Sequence, residues 1–189
     1  KRPIHKTKDL LHSIPVFQTK LASLQMDWIG PINPPDEEGH LAVLVIKCTF
    51  SHWSLPIKLK SVTADVIFHE VMERWVSWAG APAQIQCDCG AAFLSAKFRQ
   101  MVKMLGSELI YAEPYTHRTM GSIERENRTI MANLRNFIAE FPQDWGKWLE
   151  LSQLPYRMST NNTGFSSSFL LFGIDLKTPL DTVLKVPKP

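Results

Sequence analysis

What most constrains the fold is an uninterrupted apolar run, Leu41 to Ile46, reading Leu-Ala-Val-Leu-Val-Ile. A strand with one face in water alternates; one that does not alternate is a buried central strand. Its neighbours in sequence supply partners. Leu24-Gln25-Met26-Asp27-Trp28 alternates and is stopped by Gly30-Pro31, as a strand is. Asn33-Pro34-Pro35-Asp36-Glu37-Glu38-Gly39 is a turn-rich connection that makes a hairpin of the first two strands. Trp53 to Leu59 reads as a third strand, although Pro56 removes a donor and pushes its middle toward an edge or a bulge.

The period then changes. Thr63 or Asp65 can cap a helix in which Ile67, Val71, Trp75 and Trp78 recur at helical spacing, and Gly80 with Pro82 stops it. Ala83 to Cys87 is a short strand ending at Asp88. A helix from Ser95 to Leu105 closes at Gly106, and Leu109 to Ala112 is a fifth strand. A loop from Pro114 to Met120 is expected to lead into a long helix from Ser122 to Glu140, with further helices over 145–156 and 166–172. Three strands, helix, strand, helix, strand and then helices describe an α/β layer with a hairpin start and parallel additions. The 189 residues suffice for one domain with a sizeable core, and 44% hydrophobic with 21% charged residues excludes a disordered chain, a coiled coil or a collagen-like fibre. The domain is expected over residues 21–182, between an extended lead-in at 1–20 and a tail at 183–189; a chain starting at Lys1 rather than Met reads as a piece of a longer one.

Charge is unevenly placed. Lys1, Arg2, Lys6, Lys8 and Lys20 stand against Asp9 in the first twenty residues, a balance of +4, which leaves −1 for the rest of a chain of net charge +3. The body therefore lacks the positive footprint of a stand-alone nucleic-acid binder. The lead-in is either a solvated linker or an arm that contacts nucleic acid. No run approaches the eighteen apolar residues of a membrane-spanning helix, and no signal-peptide core follows the basic start. Cys48, Cys87 and Cys89 make no disulfide framework, so a reducing compartment, nuclear or cytoplasmic, is expected.

Three acids stand out by position. Asp27 lies inside an apolar strand, Asp88 at the end of another just before Gly90, and Glu124 is placed to open the long helix three residues after Gly121. An acid within a strand is disfavoured by propensity and by desolvation, so something must compensate. Strand ends and a helix start are where a site converges in an open α/β sheet. Each acid alone is as well explained by a cap or a surface ion pair. Converging carboxylates repel one another and favour a hard divalent cation, Mg²⁺ or Mn²⁺. Two such ions, roughly 3.5–4 Å apart, activate water or a 3′-hydroxyl and stabilise the leaving oxygen of a phosphodiester.

The surrounding residues carry a resemblance. Asp27-Trp28-Ile29-Gly30-Pro31, Gln86-Cys87-Asp88-Cys89-Gly90-Ala91-Ala92-Phe93 and Gly121-Ser122-Ile123-Glu124-Arg125-Glu126-Asn127 resemble the three catalytic blocks of retroviral and Ty3/gypsy-type integrases. Between Asp88 and Glu124 lie 35 residues, that family's D,D-35-E spacing. The wording of Leu170-Leu171-Phe172-Gly173-Ile174-Asp175 is closest to foamy-virus-like and endogenous-retrovirus members. The resemblance implies an RNase H-like fold, a five-stranded mixed sheet flanked by helices. It implies that Asp27, Asp88 and Glu124 bind the metal ions, two when DNA is bound, in an enzyme that trims a DNA end and joins it to target DNA by transesterification. It also implies DNA and a second copy of the chain as partners. Tyr115 matches a family position near the DNA end, and Arg118 lies in the loop that positions it. Arg128 and Arg135 fall at about 40° and about 20° from Glu124 around the helix axis, a stripe that could contact phosphates. Arg128 could equally pair with Glu124 one turn away. Ile123, Ile130, Leu134 and Phe137 form a separate, apolar face.

The chain departs from the family in places. Its usual Pro and Gln before the third acid are His117 and Arg118, Cys89 follows the second acid, and Lys47-Cys48 ends the second strand where Val-Asp is usual. These changes leave the acids intact and alter what positions DNA. They allow a second expectation, an integrase-derived domain co-opted by a host, with reduced or no catalysis, that binds nucleic acid, a host protein or itself. Other signals are weak. Cys87 and Cys89 have the wrong spacing for a zinc knuckle. Asn127-Arg128-Thr129 and Asn161-Asn162-Thr163 match the glycosylation pattern without a sign of secretion. Without the proline, 116–121 is expected to be the most mobile part of the body. Trp75, Trp78, Trp145 and Trp148 exceed what a chain this size covers easily, so an apolar patch buried by a two-fold copy is expected.

Overall fold

The computed structural model describes residues 19–112, 117–138, 140–178 and 181, with the backbone alone for residues 117–120, 122 and 137. Strands β1 (Ser23–Ile29), β2 (Ala42–Cys48), β3 (Ser54–Leu59), β4 (Gln84–Cys87) and β5 (Glu108–Tyr111) form one sheet in the order β3-β2-β1-β4-β5. β1–β2 and β2–β3 pair antiparallel, β1–β4 and β4–β5 parallel. The hairpin start and parallel additions are thus both present. β3 is an edge strand; Pro56 sits opposite Val45 within an unbroken register, because an edge strand tolerates a missing donor.

β2 is buried along its whole length, and its side chains divide between two cores by the two-residue period. Ala42, Leu44, Ile46 and Cys48 join Leu24, Met26, Ile85 and Cys87 on one face; Val43 and Val45 face the other. The first face is covered by α1 (Ala64–Val71) and by α3 (Ala91–Leu94) and α4 (Ala96–Met104), through Ile67, Val71, Phe93, Phe98 and Val102. The second is covered by α5 (His117–Phe137) and α6 (Trp145–Trp148), through Ile123, Ile130, Leu134 and Trp145. Each large side chain so enclosed contributes about 1.5–3 kcal/mol. No helix among the described residues is long and apolar enough to cross a membrane.

Local chemistry sets the helix ends. Thr63 rather than Asp65 caps α1, its hydroxyl accepting from the Val66 amide, while Asp65 takes the Lys97 ammonium at 2.7 Å. α4 is capped by Ser95 and α8 (Ser167–Phe172) by Ser166, and α8 stops at Gly173 in the left-handed region.

Four expectations need correction. The helix after β3 is not uniform: α1 passes through a π-helical Met72–Val76 before α2 (Ser77–Ala79). The wider turn turns Trp78 off the stripe that buries Ile67, Val71 and Trp75, so Trp75 is 0% exposed and Trp78 48%. A short helix, α3, precedes the one expected from Ser95. The expected helix over 145–156, preceded by a 3₁₀ turn at Pro142–Asp144, is broken into α6, a 3₁₀ turn at Leu151–Gln153 and α7 (Leu154–Met158), because Pro155 begins a helix but cannot continue one. Finally, α5 starts at His117, not Ser122, and ends at Phe137, not Glu140. The segment read as a mobile loop is helix from His117 onward: losing the proline removes a helix breaker as well as a restraint, and Gly121 is accommodated inside the helix. Thr116 lies outside the described residues.

Candidate metal centre

Asp27 belongs to the half of β1 that faces α5. Its antiparallel neighbour, Val45, is in the second core. The carboxylate is partly buried, accepting the Trp28 amide at 2.8 Å on one oxygen and the Asn127 side-chain amide at 2.7 Å on the other. Burial pushes its pKa up to about 6, with Asp88 and Glu124 adding repulsion and the Trp28 and Asn127 hydrogen bonds opposing it.

Asp88 follows Cys87, whose register partner on parallel β1 is Met26, so the second acid emerges beside the first. Its Oδ1 accepts the Gly90 amide at 3.0 Å. A Cβ at Gly90 would lie 3.0 Å from that same oxygen and 3.5 Å from the Trp28 indole nitrogen, so a side chain there would press on the carboxylate. Glu124 is exposed on α5, which packs on β1 and β2. Because α5 starts at His117, Glu124 stands inside the helix rather than at its opening, and the helix N-terminus does not act on it directly.

The fold thus brings the three acids to one end of the central strands, where Asp88 and Glu124 act electrostatically on Asp27. They stand open. Among the described residues, the group whose ligand atoms all lie within 4.8 Å of one another is a different one, Asp36, Glu38 and His40. That group is a saturated turn: Asp36 accepts the amides of Glu38 and His40 at 3.0 and 2.8 Å and the His40 ring at 2.9 Å, with Lys58 beside it. Burial works against the Asp36 charge, but the His40 contacts outweigh it and hold the carboxyl below its ordinary range. The donor set at Asp27, Asp88 and Glu124 fits a hard divalent cation better. It is all carboxylate, its charges repel, and a cation is what would relieve the raised Asp27.

Arg128 and Arg135 are exposed, and neither makes an ion pair with any described carboxylate, Glu124 included. The one-turn pairing considered for Arg128 does not form. Tyr115 and the Arg118 side chain lie outside what is described. Cys48, Cys87 and Cys89 are free thiols; burial pushes Cys87 up to about 12, while Cys89 is exposed.

Two features escaped the sequence. Asn127 fits the glycosylation pattern, yet its amide is committed to Asp27; its place one turn after Glu124 was the available signal. The other is a buried ion pair between Lys47, at the end of β2, and Glu126 on α5, at 3.0 Å. Neither partner signals the other, because 79 residues separate them.

A five-stranded mixed sheet in this order, with helices on both faces, defines the RNase H-like class. Within that class the chain belongs to the integrase core domain family, whose model matches residues 19–117. It is 34% identical over 155 residues to the Pro-Pol polyprotein of simian foamy virus type 3, covering 82% of this chain and 13% of the polyprotein. It is 30% identical over 156 residues to the Gag-Pol polyprotein of baboon endogenous virus, covering 82% and 9%. To the transposon Tf2-3 polyprotein of Schizosaccharomyces pombe it is 28% identical over 153 residues, covering 80% and 11%. The chain spans a small fraction of each of these relatives. Many solved structures share its fold, among them the following two. One is the simian T-cell lymphotropic virus intasome in complex with PP2A regulatory subunit B56 gamma, with TM-score 0.73 and 17% identity over 88% of this chain and 59% of that one. The other is the HTLV-2 integrase catalytic core domain in complex with magnesium, in trimeric form, with TM-score 0.62 and 19% identity over 80% and 96%.

Proposed function

We propose that this domain is the core of a metal-dependent polynucleotidyl transferase that processes a DNA end and joins it to target DNA. The observation that carries the reading is the Asp27 carboxylate, partly buried, raised to about 6 and flanked by the charges of Asp88 and Glu124. Those three acids would hold Mg²⁺ or Mn²⁺, two ions when DNA is bound, which activate a water or 3′-hydroxyl and stabilise the leaving oxygen. The chain's own residues do the rest. Asn127 and the Trp28 amide orient Asp27, the Gly90 amide orients Asp88, and Arg128 and Arg135, free of described acids, meet DNA phosphates. Tyr115 and Arg118 contact the DNA end. A second copy of the chain covers the face bearing Trp78 and Trp148.

The test is disintegration of a branched strand-transfer product by the purified chain with Mn²⁺. Cleavage and rejoining are expected, and loss of both in Asp88→Asn. Activity that survives this substitution overturns the assignment of the acid.

The near-neutral body and the helical 117–121 segment favour a second reading, a co-opted domain in the nucleus or cytoplasm with reduced or no turnover that binds nucleic acid, itself or host proteins. Calorimetric Mg²⁺ titration separates the two: binding that Glu124→Gln abolishes supports the enzyme, and no binding supports the co-opted module.

A further inference from the structure

The geometry points to Lys47 and Glu126 as positioning residues: a buried ion pair that sets the rotation of α5 about its axis and so holds Glu124 and Asn127 toward Asp27. The inference rests on the reading of Asp27, Asp88 and Glu124 as metal-binding acids.

The pair is enclosed, with side chains 3% and 0% exposed. Glu126 uses both oxygens, one accepting from Lys47 Nζ at 3.0 Å and the other from the Ser54 hydroxyl at 2.7 Å. Lys47 also reaches the Tyr156 hydroxyl at 3.4 Å. One carboxylate on α5 is thereby joined to β2, β3 and α7.

Its place on the helix explains the effect. At about 100° per residue, Ile123, Ile130 and Leu134 form the middle of the buried stripe, with Glu126 on one border and Asn127 on the other, about 100° apart. Asn127 is tied to Asp27 at 2.7 Å; Glu126 is tied to Lys47 and Ser54. Apolar contacts in the middle of the stripe tolerate a small roll of the helix. Ties at both borders do not, because a roll that relaxes one stretches the other. Glu124 lies beside Asn127, outside the stripe, so its aim follows the roll directly. Both ties anchor to one piece of sheet: Lys47 is in register with Gln25, two residues from Asp27 on β1. A buried ion pair is a weak source of stability but a directional one.

The experiment replaces the pair by apolar residues, Lys47→Val with Glu126→Leu, and reverses it, Lys47→Glu with Glu126→Lys, in the full chain. The apolar pair is expected to melt at or above the wild-type temperature. Its hydrogen-exchange protection over 123–130 should fall about tenfold with β1 and β2 unchanged, and its calorimetric Mn²⁺ affinity should fall about tenfold, the scale of outer-shell changes. The reversed pair should recover both. Unchanged protection over 123–130 overturns the proposal, and so does reduced protection with unchanged Mn²⁺ affinity. If the apolar pair does not fold, a reversed pair that folds yet loses Mn²⁺ affinity overturns it, and one that retains affinity supports it. Wild-type Mn²⁺ binding that survives Asp88→Asn defeats the reading of the metal centre instead, and the exchange measurement alone then decides the helix tie.

Discussion

At the scale of single residues, Asp27 sets stability against function. Burial first, then repulsion from Asp88 and Glu124, carries its pKa from 3.8 to about 6. An acid whose folded pKa is raised binds its proton more tightly in the native state. The native state is therefore penalised above the folded value, and the penalty vanishes as pH falls below the unfolded one, at about 1.4 kcal/mol per unit between them. Asp27→Asn should raise stability by up to about 3 kcal/mol near neutral pH and give no gain below about pH 4, read as thermal midpoints across pH. Mn²⁺ should raise the midpoint of the wild type and leave Asp27→Asn unmoved, by linkage to a ligand bound only in the native state. A gain that persists in acid, or a substituted protein that Mn²⁺ still stabilises, refutes this account of Asp27.

At the scale of elements, α5 is the decisive piece. Gly121 in its interior costs about 1 kcal/mol relative to alanine. Among the described residues, a Cβ there would meet only the Arg125 guanidinium, at 3.7 Å. Gly121→Ala should therefore stabilise the protein by about 0.5–1 kcal/mol in denaturant titration. Destabilisation would mean that the helix does not run through this position. Glycine is a strong local breaker and signals the end of a loop, but a long helix with a buried stripe outweighs so small a cost. The π-helical turn at Met72–Val76 was illegible for a related reason: its residues are ordinary helix formers, and packing under Trp75 selects the wider turn. Pro155, by contrast, is legible in the sequence as a break within 145–156.

At the scale of the whole molecule, exposed tryptophans mark an uncovered face. Trp78 is 48% exposed, Trp148 37% and Leu151 49%. Trp78 lines a groove of about 730 Å³ with Leu55, Ile57, Glu73, Arg74 and Lys147, the last of these next to Trp148 in the chain. Acids and bases share this groove, so a two-fold copy can set each against its opposite while burying the indoles. Light scattering at micromolar concentration should give a dimer mass that Trp78→Glu reduces to a monomer with little change in melting temperature. A monomeric wild type refutes this use of the face.

The sequence by itself determined the five strands, their hairpin start and parallel additions, and the positions of Asp27 and Asp88 at neighbouring strands. These follow from local signals: the two-residue period of Leu24 to Trp28, the unbroken run before Lys47, and the Gly and Pro that punctuate them. Only the tertiary structure decided where α5 begins, that Trp78 leaves the buried stripe, that Asn127 bonds Asp27, and that Lys47 meets Glu126. The last two depend on side chains far apart in the chain meeting across the sheet. A backbone period reports which way a residue faces, but not what it will find there.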